Sequence, residues 1–135
     1  MVKILIVDDQ ELIRESLVIM LKTRANFENC YAASSGVEAL ELVETNKPDV
    51  VLMDIKVKGD MEGIDAAKVI LELRIPVVYL TANTDDYTFE RSNIEGSYGF
   101  VPKPYEITKL DKTLKLAIKR AELEEQKLND ASGFN

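Results

Sequence analysis

Lys3-Ile4-Leu5-Ile6-Val7-Asp8-Asp9 decides how the rest of the chain is read. Four apolar residues stand on consecutive positions and stop at two adjacent carboxylates, which repel each other where they emerge. Two later runs share this continuous apolarity, Val50-Val51-Leu52-Met53 and Val77-Val78-Tyr79-Leu80. A strand that is apolar at every position has both faces buried, as in a parallel sheet covered by helices on each side. Residues 3–7, 28–33, 49–53, 76–80 and 98–101 accordingly read as strands. Helical stripes lie between them: Ile13, Leu17, Met20 and Leu21, then Val37, Leu40 and Val43, then Ile64, Ala67 and Leu71. The segment 84–94 is the weakest helix, with Tyr87, Phe89 and Ile94 to bury. Five β and five α units in alternation predict an α/β fold, a doubly wound (βα)5 sandwich whose right-handed crossovers put helices on both faces of a five-stranded parallel sheet.

Composition removes most other classes. The 135 residues suit one domain, and 46% hydrophobic content can fill its core. A net charge of −7 argues against a nucleic-acid surface, which needs clustered Lys and Arg. The longest apolar runs, such as Leu17 to Leu21, fall far short of the ~20 residues of a membrane span. Ile4 to Val7 is likewise too short for a secretory signal core. Cys30 is the single cysteine and histidine is absent, so neither a disulfide framework nor a Cys/His zinc site can form. The expected location is cytoplasmic.

The last helix outruns the sheet it has to cover. Ile107, Leu110, Leu114, Ala117, Ala121 and Leu128 carry a stripe to about Asn129, whereas a covering helix could end near Arg120. Residues 122–127 have little to bury, as a solvated helix end or a connecting, dimerising helix with a weak heptad seam. Residues 131–135 read as a tail without structure. The expected division is a domain over 1–121 followed by a helix extension and flexible tail over 122–135.

Ligands of such sheets sit outside the carboxyl ends of the strands. There the first strand delivers Asp8 and Asp9, the third Asp54 and the fourth Thr81, and Lys103 follows the fifth. Singly, each has an ordinary explanation: an Asp before a helix caps it, and the others are a loop acid, a strand-end hydroxyl and a surface cation. Capping uses one carboxylate, however, and accounts for neither Asp54 nor the hydroxyl and ammonium beyond. Converging carboxylates repel by ~1 kcal/mol per pair at 4 Å in water and more near protein. A hard divalent cation relieves this, and Mg2+ suits one or two carboxylates with waters and a phosphate oxygen. Such a site beside a hydroxyl and a lysine is equipped for a phosphoryl group, and an aspartate is the candidate nucleophile where histidine is absent.

In order and spacing, Val7-Asp8-Asp9, Leu52-Met53-Asp54, Leu80-Thr81-Ala82 and Phe100-Val101-Pro102-Lys103-Pro104 resemble the receiver domains of two-component response regulators over roughly residues 2–120. The resemblance implies the flavodoxin-like strand order 2-1-3-4-5 of chemotaxis receivers, in which strands one and three are neighbours. It further implies a phosphoacceptor at Asp54, fed by the phosphohistidine of a sensor histidine kinase or phosphotransfer protein. Asp9 would be the direct Mg2+ ligand, Asp8 one acting largely through water, and the Lys56 backbone carbonyl a further ligand. Thr81, helped by the Ala82 N–H, and Lys103 would bind phosphoryl oxygens, and a cis Lys103-Pro104 bond would position the lysine. Phe100 would turn inward as Thr81 shifts, rearranging the face made by the fourth helix, fifth strand and last helix. That face is also where the resemblance allows a homodimer. The low apolar content of 84–94 suits an element that rearranges at low cost.

One segment departs from the family: residues 56–63 lack its usual loop proline, and Gly63 comes one residue late. Lys56 and Asn83 occupy the positions that tune acyl-phosphate hydrolysis. Two alternatives stay open, a Mg2+-dependent phosphohydrolase using an aspartyl-phosphate and a dimerising interaction domain without phosphorylation. Adjacent Asp8 and Asp9 do not form the Asp-x-Asp pattern of haloacid-dehalogenase-type phosphatases, and no glycine-rich loop follows the first strand to hold a dinucleotide. The 34 residues after the last strand are too few for its covering helix and a helix-turn-helix output domain together. A stand-alone receiver and a fragment of a longer chain both fit this expectation.

Overall fold

The computed structural model describes residues 2–24, 27–54, 63–81, 98–102 and 106–132. Strands β1 (Val2–Val7), β2 (Phe27–Ala33), β3 (Val50–Asp54), β4 (Val77–Thr81) and β5 (Phe100–Pro102) form one sheet of order β2-β1-β3-β4-β5. Every pairing in it is parallel. Helices α1 (Glu11–Lys22), α2 (Gly36–Asn46), α3 (Gly63–Glu72) and α4 (Ile107–Ser132) are the helices of the described residues. The segment 84–94, read as the weak fourth helix of five, lies outside them.

The continuous apolar runs are buried on both faces. Leu5, Val7, Val51, Met53, Val77 and Tyr79 pack with Ala39 and Val43 of α2 and Ile64, Ala67 and Ile70 of α3. The alternate residues Ile4, Ile6, Val50, Leu52, Val78 and Leu80 pack with Leu17 and Leu21 of α1 and Leu110, Leu114 and Ala117 of α4. Successive strand side chains point to opposite faces, so one run supplies two cores. This is the doubly wound arrangement, with α1 and α4 on one face and α2 and α3 on the other.

Local signals set the helix ends. Ser35 caps α2: its hydroxyl accepts the Glu38 N–H at 3.1 Å, while the Glu38 carboxylate accepts the Ser34 N–H at 2.7 Å. Lys47 ends the helix in the left-handed region at φ 47°, and Pro48 prevents continuation. Ser35→Ala should cost about 1 kcal/mol in urea unfolding. A loss below about 0.3 kcal/mol would mean that Glu38 and Ser34 hold the turn without the cap. At α1 the cap position belongs to Gln10, which makes no side-chain cap, so the capping role open to Asp8 or Asp9 is not taken up. Asp8 Oδ1 instead accepts the Gln10 N–H at 2.8 Å.

The extended last helix is longer than its stripe. It runs to Ser132 and takes in Ala131 and Ser132, two residues assigned from sequence to the unstructured tail. Neither glycine nor proline stands between Pro104 and Gly133, and Ala131 is a strong helix former. Residues 122–130 are exposed throughout. Where α4 crosses α1, buried Asp111 meets the Arg24 guanidinium at 3.4 Å and the Lys115 ammonium at 3.1 Å. No helix among the described residues is long and apolar enough to cross a membrane.

Candidate metal and phosphoacceptor site

Strand register brings the carboxylates together. Val7 of β1 pairs with Met53 of β3, so the next residues, Asp8 and Asp54, leave neighbouring strands side by side. The Asp8 N–H donates to the Ala33 carbonyl at 3.1 Å, which carries the β1–β2 ladder one residue beyond the strand. One carboxylate oxygen from each of Asp8, Asp9 and Asp54 lies within 4.8 Å of the other two. Asp8 is fully enclosed and Asp54 is 4% exposed, while Asp9 faces solvent. Asp54 ends β3 and is not a solvated loop acid.

At such separations two full charges repel by about 1 kcal/mol in water and about 4 kcal/mol near a protein surface, and partial burial moves the cluster toward the larger figure. All three donors are hard oxygens with no nitrogen or sulfur among them. That donor chemistry fits Mg2+ and fits thiophilic metals poorly.

Strand register places the backbone of two further candidates, Thr81 and Phe100. Asp54 pairs with Leu80 of β4, which puts Thr81 one residue further toward the same sheet end. Thr81 pairs with Pro102 of β5, the residue before Lys103, and Phe100 pairs with Tyr79. For Thr81 and Phe100 the backbone alone is described. Lys56, Ala82, Asn83, Lys103 and Pro104 lie outside the described residues, as does the 84–94 part of the dimer face. Arg14, which the sequence pattern did not single out, belongs to the site's frame: its guanidinium donates to the Asp8 carbonyl at 2.8 Å and fixes the turn between β1 and α1. The bond crosses the junction between a strand and a helix, where neither period carries through, so only the folded turn reveals it.

A family model described as the response regulator receiver domain matches residues 4–115. The chain belongs to this family. Among its relatives, the transcriptional regulatory protein PdtaR of Mycobacterium tuberculosis is 40% identical over 119 residues, covering 87% of this chain and 57% of PdtaR. A protein-glutamate methylesterase/protein-glutamine glutaminase of Pyrococcus horikoshii is 35% identical over 107 residues, covering 76% of this chain and 28% of the enzyme. The receiver thus spans about half or less of the length of these curated relatives. Among solved structures, the signal receiver domain of a modulated diguanylate cyclase from Desulfovibrio desulfuricans G20 superposes with a TM-score of 0.85 at 26% identity, over 92% of this chain and 98% of that one. A receiver domain protein from Clostridium thermocellum gives 0.82 at 27% identity, over 91% and 98%. The fold is therefore the flavodoxin-like receiver fold. Receivers of this family work with a histidine kinase or phosphotransfer partner and typically bind Mg2+ at an acidic pocket; in this chain Asp8, Asp9 and Asp54 form an acidic cluster that could hold a metal ion.

Proposed function

We propose that this receiver is the phosphoacceptor of a cytoplasmic two-component phosphorelay, with residues 1–121 as the signalling domain and Asp54 as the acceptor. The observation that carries the reading is the position of Asp54, buried at a strand end with its carboxylate beside those of Asp8 and Asp9. Burial removes competing water from the nucleophile, and the strand fixes its direction.

An Asp54 carboxylate oxygen attacks phosphorus and forms an acyl-phosphate bond. The P–N bond of the donor phosphohistidine breaks, and its electron pair returns to the imidazole nitrogen. Asp8, Asp9, Asp54 and the Lys56 carbonyl would hold Mg2+, which when bound supplies positive charge against the phosphoryl oxygens. Thr81 would donate its hydroxyl to one of those oxygens and Lys103 would pair with another. Water attack on the same phosphorus later releases inorganic phosphate and restores the carboxylate. The output is a rearranged face formed by 84–94, β5 and α4, with Phe100 following Thr81.

The test is intact mass after incubation with acetyl phosphate, where the broken bond is P–O and acetate leaves. One added phosphoryl group is expected with Mg2+ and none with EDTA, and hydroxylamine should remove it as it does acyl phosphates. Absence of any gain under conditions where calorimetry detects Mg2+ binding would overturn the reading.

A further inference from the structure

The exposed half of α4 is tied back to the sheet at a point unrelated to the acidic site. The Tyr98 hydroxyl donates to Glu124 Oε2 at 2.7 Å. Arg120, one turn earlier on α4, donates from Nε to Glu124 Oε1 at 3.1 Å and lies 4.9 Å from the Tyr98 ring centroid. Phenol, carboxylate and guanidinium thus each engage the other two. Glu124 stands seven residues past Ala117, the last buried residue of α4 among the described side chains, or about 10 Å along the helix.

A second contact lies at the next residue of the sheet. Gly99 has φ 157°, and a Cβ there would come within 2.8 Å of the Thr113 methyl. Thr113 cannot turn away freely, because its hydroxyl donates to the Lys109 carbonyl at 2.9 Å. The dipeptide is itself fixed to β4: the Tyr98 N–H donates to the Val77 carbonyl at 3.0 Å and the Tyr79 N–H to the Gly99 carbonyl at 3.0 Å. The entrance to β5 therefore meets α4 at Thr113 and at Glu124, eleven residues or about 16 Å apart along the axis. Two points so separated set the direction of a helix.

We infer that Tyr98, Glu124 and Arg120 form a clamp that fixes the outer half of α4 to the start of β5, so that residues 121–130 follow the position of that strand. The other end of β5 lies beside Thr81, and movement there would reach the outer helix through the clamp. This last step rests on the phosphoacceptor reading; the clamp does not. Burial, reinforced by the Glu124 carboxylate and opposed by Arg120, raises the Tyr98 hydroxyl above the ordinary 10.0, which keeps it a donor throughout the neutral range.

Amide hydrogen exchange on the full chain tests both parts. Tyr98→Phe removes the hydroxyl and leaves the ring beneath Arg120, and Glu124→Gln removes the charge and leaves an acceptor. Tyr98→Phe should speed exchange over 121–130 by about three- to tenfold, and Glu124→Gln by less, with 110–117 unchanged. Exchange within twofold of wild type in Tyr98→Phe would overturn the clamp. Adding Mg2+ with beryllofluoride, a phosphoryl mimic, should alter exchange over 121–130 in the wild type and not in Tyr98→Phe. A wild type that responds around Asp54 but not over 121–130 would overturn the coupling. No response around Asp54 would instead count against the phosphoacceptor reading, and the clamp would then stand or fall on the comparison without the mimic.

Discussion

Asp54→Ala will gain no phosphoryl group from acetyl phosphate under conditions in which the wild type gains one. The two remaining carboxylates cannot take over. Asp8 is fully enclosed, with Oδ1 already accepting the Gln10 N–H, so a phosphorus donor has no in-line approach to it. Asp9 is solvated, and a hydrated carboxylate is a poor acceptor. A residual mass gain in Asp54→Ala, mapped by peptide analysis to either residue, would refute the assignment. The charge count adds a second expectation that needs no donor. Asp54→Asn removes one of three converging charges and hence two repulsive pairs, so in EDTA it should be more stable than the wild type by about 1–2 kcal/mol, within the range Coulomb's law allows for partly screened pairs. Excess Mg2+ should reverse the order, since a cation bound by the folded state stabilises it by mass action, and the wild type binds it more tightly. Equal unfolding midpoints with and without Mg2+ in the wild type would sink the metal seat.

The same acids show what a one-dimensional reading carries and where it stops. Strands β1, β3 and β4 were legible because residues apolar at every position have no amphipathic alternative, and each run does supply both cores. The convergence of Asp8 and Asp54 follows from those runs ending level in neighbouring strands. Boundaries were less legible. The third strand runs one residue further than its apolar run and so includes Asp54, a carboxylate that hydropathy alone would leave outside. The fifth starts at Phe100 instead of residue 98, because Gly99 departs from strand geometry where it passes under Thr113. Capping rules favoured an acid at the start of α1, yet the backbone there is held by Asp8 through the Gln10 N–H and by Arg14 through the Asp8 carbonyl, an arrangement with no sequence period. The Tyr98–Glu124 bond spans 26 positions between an aromatic and one of several glutamates on a solvated helix, and nothing in the pattern distinguishes that glutamate.

Helix phase, by contrast, was legible along α4 as far as Ala117, beyond which Leu128 of the expected stripe is 45% exposed, and two leucines two positions apart on it should respond very unequally to truncation. Leu114 is fully buried on the face where Ile4, Ile6, Val78 and Leu80 of the sheet meet Leu17 and Leu21 of α1. Leu114→Ala removes three heavy atoms from that layer and leaves a cavity between two helices and the sheet, which cannot all close upon it. The expected cost is about 2–5 kcal/mol, a large part of the roughly 5–15 kcal/mol that holds a domain of this size. Leu116, 60% exposed on the opposite side of the helix, loses little burial on becoming alanine and gains helix propensity. Leu116→Ala should therefore change stability by less than about 0.5 kcal/mol. Urea unfolding followed by circular dichroism separates the two, and equal costs would mean that α4 docks in a different rotational phase. A large cost at Leu116 with little at Leu114 would reverse the face assigned to the helix. That face also governs the clamp, because Glu124 meets Tyr98 only where the turns holding Leu114 and Ala117 stay seated against the sheet.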